Sequence, residues 1–362
     1  MRISYEKLHT YCEWIFEKYG FSEEDSRKTA DVLLQADLFG IESHGISRIQ
    51  KYINLIEQGI LHVDAKPEMI KETPISAVID AHSSIGQPQA VKAMELAIKK
   101  AKQQGIGMVQ LRGSNHYGIA GYYALLAARE GLLGVSMTNT EAIMVPTFSA
   151  QPLLGSNPIA FAMPKADGIP FLYDGATTVI TRGKVELYRR EGRELKDGWT
   201  VGANGKIETD PGRALSEIRE KSGGILPVGG IGETYAGYKG FGYAMICEIM
   251  TSVLSGSVSS IDKKDRGDTS QCFYAIDYGI FGEKEEIEQR MQKLADDIHK
   301  ARKADGCSRI YIAGEKAFAR EKENKNLGVP ISQTTYHQLC EIGEKLNLPK
   351  LEEEPEEEKP KE

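Results

Sequence analysis

Two histidines in this chain sit among small, polar and glycine residues, a setting in which an imidazole can reach a substrate. His116 lies in Arg112-Gly-Ser-Asn-His-Tyr-Gly-Ile-Ala-Gly-Tyr-Tyr123, and His44 in Glu42-Ser-His-Gly-Ile-Ser-Arg48. Imidazole changes charge near neutral pH, so both are candidates for proton transfer. Arg48 follows His44 by four residues. If Ser43 opens a helix, the two share a face, and a guanidinium fork beside a proton donor suits a substrate carboxylate. Taken singly, a His or an Arg is more often structural. The SHGxxR and SNH settings together argue for acid/base chemistry.

Other segments could bind rather than react. Gly237-Tyr-Lys-Gly-Phe-Gly242 leads into an apolar run. Glycines there allow close backbone approach, a helix N-terminus attracts anions, and Lys239 adds a full charge, so a diphosphate would fit. The plain alternative is a glycine-rich turn with an exposed lysine. Asp174, in Tyr173-Asp-Gly-Ala-Thr-Thr178, could bind ribose hydroxyls or orient a histidine; as a lone feature it reads first as a turn residue. Ser136-Met-Thr-Asn-Thr140 and Gly155-Ser-Asn-Pro-Ile159 are similar polar loops beside apolar strands. His9, His62, His82, His299 and His337 lack such settings and read as surface or core residues. His44, His116 and Asp174 would also supply ligands for a metal-dependent hydrolase or lyase, but no HExxH or paired-histidine spacing supports a metal site.

These residues need elements to hold them. The first sixty residues read helical, with Ser22 capping a helix from Glu23 to about Leu38 and another from Arg48 to Glu57 that stops at Gly59. Alternation follows: strand 77–80, helix 87–103, strand 106–111, a helix near 122–128, and strands 132–137, 158–163 and 170–173. The run FGYAMICEIMTSVL, 241–254, predicts a buried helix, 273–277 a strand, and 283–304 and 332–346 two amphipathic helices. The order gives an α/β core. No G-x-G-x-x-G follows a strand and no GxxxxGK[ST] is present, so any nucleotide is held by a different solution from the Rossmann and phosphate-loop ones. The tail 351–362, dense in Glu and broken by Pro, predicts a disordered acidic segment.

The chain has 362 residues, 41% hydrophobic and 27% charged, with a formal net charge of −7. That balance argues against a nucleic-acid binder. No apolar stretch approaches the roughly 18 residues of a membrane span, and the N-terminus has no apolar signal core, so cytoplasmic residence is expected. The five cysteines are scattered without CxxC spacing, which argues against structural zinc or a disulfide framework and for small buried or half-buried residues.

Together the motifs resemble the malate/L-lactate dehydrogenase family, which is distinct from the Rossmann-fold lactate and malate dehydrogenases. The matching segments are 36–53 (ADLFGIESHGISRIQKYI), 112–127, 153–164, 174–184, 229–245 and 312–318, in order along the chain. The resemblance implies an unusual non-Rossmann α/β domain that binds NAD or NADP, over 71–310. It implies a helical domain formed from both chain ends, over 1–70 and 311–350, and a homodimer. His44 and His116 would share the proton-transfer work, with the direct donor left open. Arg48, with Ser43 beside it, would hold the substrate carboxylate. Thr140, Asp174, Gly175, Ala176, Lys239, Gly240, Gly314 and Glu315 would line the cofactor. Many relatives carry D-M-A-T-S where this chain has Asp174-Gly-Ala-Thr-Thr178, which changes the local fit. The implied reaction interconverts a 2-hydroxy acid and a 2-oxo acid, malate or a lactate-like acid first. Ureidoglycolate, sulfolactate and cyclic-imine chemistry are the alternatives within the family.

Overall fold

The computed structural model describes residues 1–263 and 267–351. A short strand β1 (Arg2–Ile3) opens the chain, followed by α1 (Tyr5–Lys18), α2 (Glu23–Leu38) and α3 (Ile49–Glu57). The Ser22 side chain accepts from the Asp25 N–H and so caps α2, one of the helix starts that the sequence announces. Next come β2 (Glu68–Glu72), β3 (Ser76–Asp80), α4 (Gly86–Gln104), β4 (Ile106–Ser114), α5 (Ala120–Arg129), β5 (Leu133–Thr138), β6 (Ile159–Met163) and β7 (Phe171–Gly175). Then α6 (Arg182–Arg190), β8 (Thr200–Val201), α7 (Pro211–Glu220) and β9 (Gly224–Ile225) build a small satellite around Val185, Tyr188, Leu215 and Ile218. The chain closes with α8 (Gly237–Glu248), β10 (Thr269–Ile276), α9 (Lys284–Lys300), α10 (Glu315–Leu327), β11 (Val329–Pro330) and α11 (Gln333–Leu346).

Seven strands form one sheet in the order β2-β3-β4-β10-β5-β6-β7. Only β3 and β4 are parallel; every other neighbouring pair is antiparallel. The late strand β10 is inserted between β4 and β5, a long-range pairing that local periodicity does not reveal. The fold is mixed α/β. Its registers bring one rim of the sheet together, because Thr269 pairs with Ser114, Gln271 with Thr138, Ile159 with Met137 and Gly175 with Ile159. The segments after β4, β5 and β7 and before β6 therefore meet at one edge. Helices α4 and α5 pack on the sheet through Ala90, Met94, Ala97, Tyr123 and Ala127.

A second core joins the chain's two ends. Leu8, Ile15 and Phe16 of α1 and Leu33 and Leu34 of α2 pack with Ile53 of α3 and Leu339 and Ile342 of α11. Leu351 also lies in this core and accepts a hydrogen bond from Tyr336 Oη (2.9 Å), so it is not part of the expected free tail; the rest of that tail, 352–362, is outside the described residues. The expectation for 241–254 also needs correction. Helix α8 ends at Glu248 and passes into a π-helical turn, Ile249–Val253. Only one side is covered: Tyr238, Tyr243, Ile246, Ile249 and Val253 are exposed. All five cysteines are free, and Cys307 is exposed, contrary to the expectation of burial. No helix among the described residues is long and apolar enough to cross a membrane.

Candidate active site

The Glu42–Arg48 segment is not the start of a helix. Two 3-10 turns, Glu42–His44 and Ile46–Arg48, are separated by extended Gly45. The cause is Asp37, buried near the end of α2, which accepts the Ile46 N–H at 2.8 Å. Its carboxylate presses on Gly45 so closely that a Cβ there would fall 2.0 Å from Oδ1. The one-face geometry expected of His44 and Arg48 is thus replaced by a folded loop. In it Ser43 Oγ lies 2.9 Å from His44 Nδ1, and Arg48 Nε donates to the Ser43 carbonyl. Arg48 forms no ion pair among the described residues, so its outer amines remain available.

His116 arrives from the sheet. It follows β4, in a loop pinned by Asn115, whose amide donates to the Ser83 and Ser84 carbonyls (2.8 and 2.9 Å) while its own carbonyl accepts from Gln271 Nε2 (2.9 Å). Gly86 lets the first turn of α4 rest on this loop: a Cβ there would meet the Asn115 carbonyl at 2.4 Å. That contact delivers Gln87. The His44 and His116 rings lie 5.4 Å apart, tilted by 32°. Tyr52 Oη is 2.7 Å from His116 Nδ1 and accepts from Gln87 Nε2 at 2.7 Å. Burial first, and then the Arg48 and Lys51 charges, push His44 down to about 4, so it is neutral at physiological pH.

Asp174 stands apart from the histidine pair. One oxygen accepts the Gly121 N–H at 2.7 Å, at the N-terminus of α5, where a negative charge is favoured. Surrounding protein raises its pKa toward about 6, with the Gly121 bond opposing; because the residue is solvent-exposed, water offsets much of the rise and the carboxylate is ionised at neutral pH. Among the described residues no group of three His, Cys, Asp or Glu is placed to hold a metal ion, so His44, His116 and Asp174 do not form the metal triad considered above. Asp174 instead borders a cavity of about 310 Å³ with Gly314, Ile41, Leu172, Lys316 and Arg320. A larger one, about 790 Å³, opens beside Asp80, Arg112 and Asp262 and takes in none of the candidate residues. The space a side chain at Gly175 would need is filled by Tyr173, whose hydroxyl would lie 2.5 Å from a Cβ.

Thr140 and the start of α8 form a third group. Thr140 N–H donates to Asn157 Oδ1 (3.0 Å), and its hydroxyl accepts the Ser156 N–H (2.9 Å). Ala176 leads to Thr177, whose carbonyl accepts the Val228 N–H, and Gly240 sits against Val228 with no room for a Cβ. Helix α8 starts from left-handed Ala236 with no side-chain cap, and Lys239 is exposed in its first turn. Glu315 does not line the cavity: it pairs with Arg309 (3.3 Å), lies 2.8 Å from His299 and accepts the Ile312 N–H.

Several partners escaped the sequence reading. Tyr52 and Gln87 have only their spacing from Arg48 and Gly86 to mark them. The buried Glu248 accepts from Asn139 and Asn157 amides (3.2 and 2.9 Å), Ser252 and Ser260 hydroxyls (2.8 and 2.7 Å) and the Ser260 N–H (2.8 Å). These donors hold Glu248 below the usual carboxylate range against the opposing effect of burial. It ties the end of α8 to the two asparagines after β5 and before β6. Its letter in an apolar run gave the only hint.

The malate/L-lactate dehydrogenase family model matches residues 3–340. A malate dehydrogenase of Pyrococcus abyssi is 40% identical, over 97% of both chains, and an L-sulfolactate dehydrogenase of Methanocaldococcus jannaschii 38%, over 92% of this chain and 94% of that one. A crystal structure of malate dehydrogenase from Entamoeba histolytica superposes with a TM-score of 0.92 at 32% identity, covering 96% of this chain and 99% of that one. The chain belongs to the malate/L-lactate dehydrogenase family.

Proposed function

We propose that the chain interconverts a 2-oxo acid and its 2-hydroxy acid, oxaloacetate and malate first, with NAD or NADP as the hydride carrier. The observation that carries this reading is the meeting in one cluster of His44, His116 and Arg48, which has no ion-pair partner among the described residues. Arg48 offers two parallel donors to a carboxylate. His44, kept neutral, serves as a hydrogen-bonding partner of the substrate, while His116 supplies the proton to the ketone oxygen and takes it back from the alcohol. Positioning by the folded loop supplies much of the remaining rate.

The residues fit a nicotinamide dinucleotide. The cavity beside Asp174 has a carboxylate for ribose hydroxyls, an apolar wall for a ring, and Lys316 and Arg320 for phosphate. Thr140 and the uncapped α8 with Lys239 and Gly240 suit the diphosphate. When bound, the nicotinamide supplies the hydride. We also infer a homodimer in which a second copy covers the exposed Tyr243, Ile246 and Val253 face, since a helix with two apolar sides buries only one within the chain. Free cysteines fit a reducing cytosol.

Oxaloacetate, pyruvate and sulfopyruvate, each with NADH and NADPH and followed at the nicotinamide absorbance, test the reaction. Turnover is expected with at least one pair, and His116→Ala should lose about 100-fold or more. No oxidation of either cofactor by any 2-oxo acid, or a His116→Ala variant as fast as wild type, removes the reading.

A further inference from the structure

We propose that Tyr52 and Gln87 are positioning residues that set the tautomer of His116, the Gln87 amide turning over between a resting and a working orientation. The inference rests on the reading of His116 as the group that exchanges a proton with the substrate.

In the arrangement observed, the Gln87 amide N–H donates to Tyr52 Oη, so the tyrosine spends its own hydrogen on His116 Nδ1. The Gly118 N–H, 3.4 Å away, points at the same nitrogen. A bare Nδ1 leaves the imidazole hydrogen on Nε2. That tautomer cannot take a proton from an alcohol at Nε2, and it lacks the second hydrogen of the imidazolium needed for reduction. Tyr52 cannot supply that hydrogen by ionising, because burial holds its phenol well above the usual range.

The working state needs the opposite direction along the same contacts: Nδ1–H donating to Tyr52 Oη, and the tyrosine hydroxyl donating onward. An acceptor is in place. Gln87 Oε1 is buried and has no hydrogen-bond partner, and Gln87 itself is fully buried. Turning the amide over brings Oε1 to Tyr52. Each orientation leaves one amide end unpaired, so neither is locked, and a change of charge on His116 is enough to select between them.

The step balances. The Nε2–H bond of the imidazolium breaks as an O–H bond forms on the 2-oxo oxygen, while the C=O π bond opens and a C–H bond forms with the hydride that a bound reduced nicotinamide would supply. His116 is left neutral with its hydrogen on Nδ1, already held by Tyr52, and oxidation retraces the same path. Among the described residues, the charged and titratable groups around this chain of contacts include His44, Arg48, Lys51 and Tyr52 from the 42–57 segment; Arg48 and Lys51 are unchanged in every variant below.

The test is the pH profile of reductive kcat/KM in the full-length enzyme, with melting temperature and NADH affinity by fluorescence titration alongside. Tyr52→Phe removes the acceptor for Nδ1–H, and Gln87→Met removes the acceptor for the tyrosine. Each should lower kcat by about 10- to 100-fold. Each should also move the alkaline limb to lower pH, because the imidazolium loses a partner, with NADH affinity unchanged. Adding Gln87→Met to Tyr52→Phe should cost little more, since Gln87 acts only through the tyrosine. Limbs that stay in place in both variants, or additive losses, overturn the proposal. Full activity in His116→Gln would overturn the acid/base reading itself, whereas an inactive His116→Gln with unmoved limbs in the other two refutes only the tautomer role.

Discussion

Replacing Gly45 by alanine tests how the folded loop is made. The new methyl would lie 2.0 Å from Asp37 Oδ1 and 2.2 Å from its Cγ, far inside van der Waals contact. Asp37 has little freedom to retreat, because it is buried and its other oxygen holds the Ile46 N–H. Overpacking of this kind costs about 1–3 kcal/mol. Loss of the Ile46 hydrogen bond adds about 1 kcal/mol. Gly45→Ala should therefore destabilise the protein by about 2–4 kcal/mol, the sum of those terms, and lower Tm by several degrees. The loop would also carry His44 and Arg48 away from His116, so kcat/KM for the 2-oxo acid should fall about 100-fold or more, as misplacement by about 1 Å can do. NADH affinity should change little. Thermal melts and steady-state kinetics on the same preparation decide the matter. A variant with wild-type Tm and kcat/KM would show that Asp37 does not shape the loop.

Burial raises Asp37 to about 8, with the Ile46 N–H opposing and Glu42 adding to it; the unfolded value is about 4. The folded state thus keeps a proton that the unfolded state has lost, and stability falls as pH rises between those values. Asp37→Asn should melt increasingly above wild type from about pH 5 to about pH 9, and a constant gap would refute the assignment. Arg48→Lys should weaken 2-oxo acid binding as much as Arg48→Ala does, since lysine has no planar fork; a lowered Tm with normal substrate affinity would make Arg48 a structural tie instead. Asn157 is left-handed, with φ of 31°, so Asn157→Gly preserves the backbone while deleting the amide between Glu248 and Thr140; cofactor affinity should drop about 10-fold or more, equivalent to about 1.4 kcal/mol, and unchanged NADH titration would remove the link.

Much of the sheet was legible because its strands carry short apolar runs bounded by turns, as in Ile106–Ser114 and Ile159–Met163. Helix α2 was legible to the residue through its Ser22 cap. The place of β10 was not, because strand order depends on contacts between Phe273 and residues far earlier in the chain. The satellite helices α6 and α7 bury few residues, so their apolar signal is thin. At the site, His44 and His116 stood out by composition, but the loop geometry between Ser43 and Arg48 did not. It is dictated by Asp37, a tertiary contact, and overrides the helical spacing. Tyr52, Gln87 and Glu248 were invisible for the same reason: each matters through a partner distant in sequence.

The core that joins both chain ends has a consequence for synthesis. The loop bearing His44 and Arg48 leans on α2, and the carbonyls of Asp37 and Leu38 accept from Asn324 in α10, while β1 pairs only with β11. A ribosome that has finished α3 must add the whole sheet and satellite before these partners emerge. At about 5–20 residues per second that is a wait of roughly 15–60 seconds. During it, Leu8, Ile15 and Phe16 lack their Leu339 and Ile342 cover. Nascent chains should therefore be clients of general chaperones through most of translation, and truncation before α10 should give no partial enzyme, because the substrate half of the site is assembled last although it is encoded first.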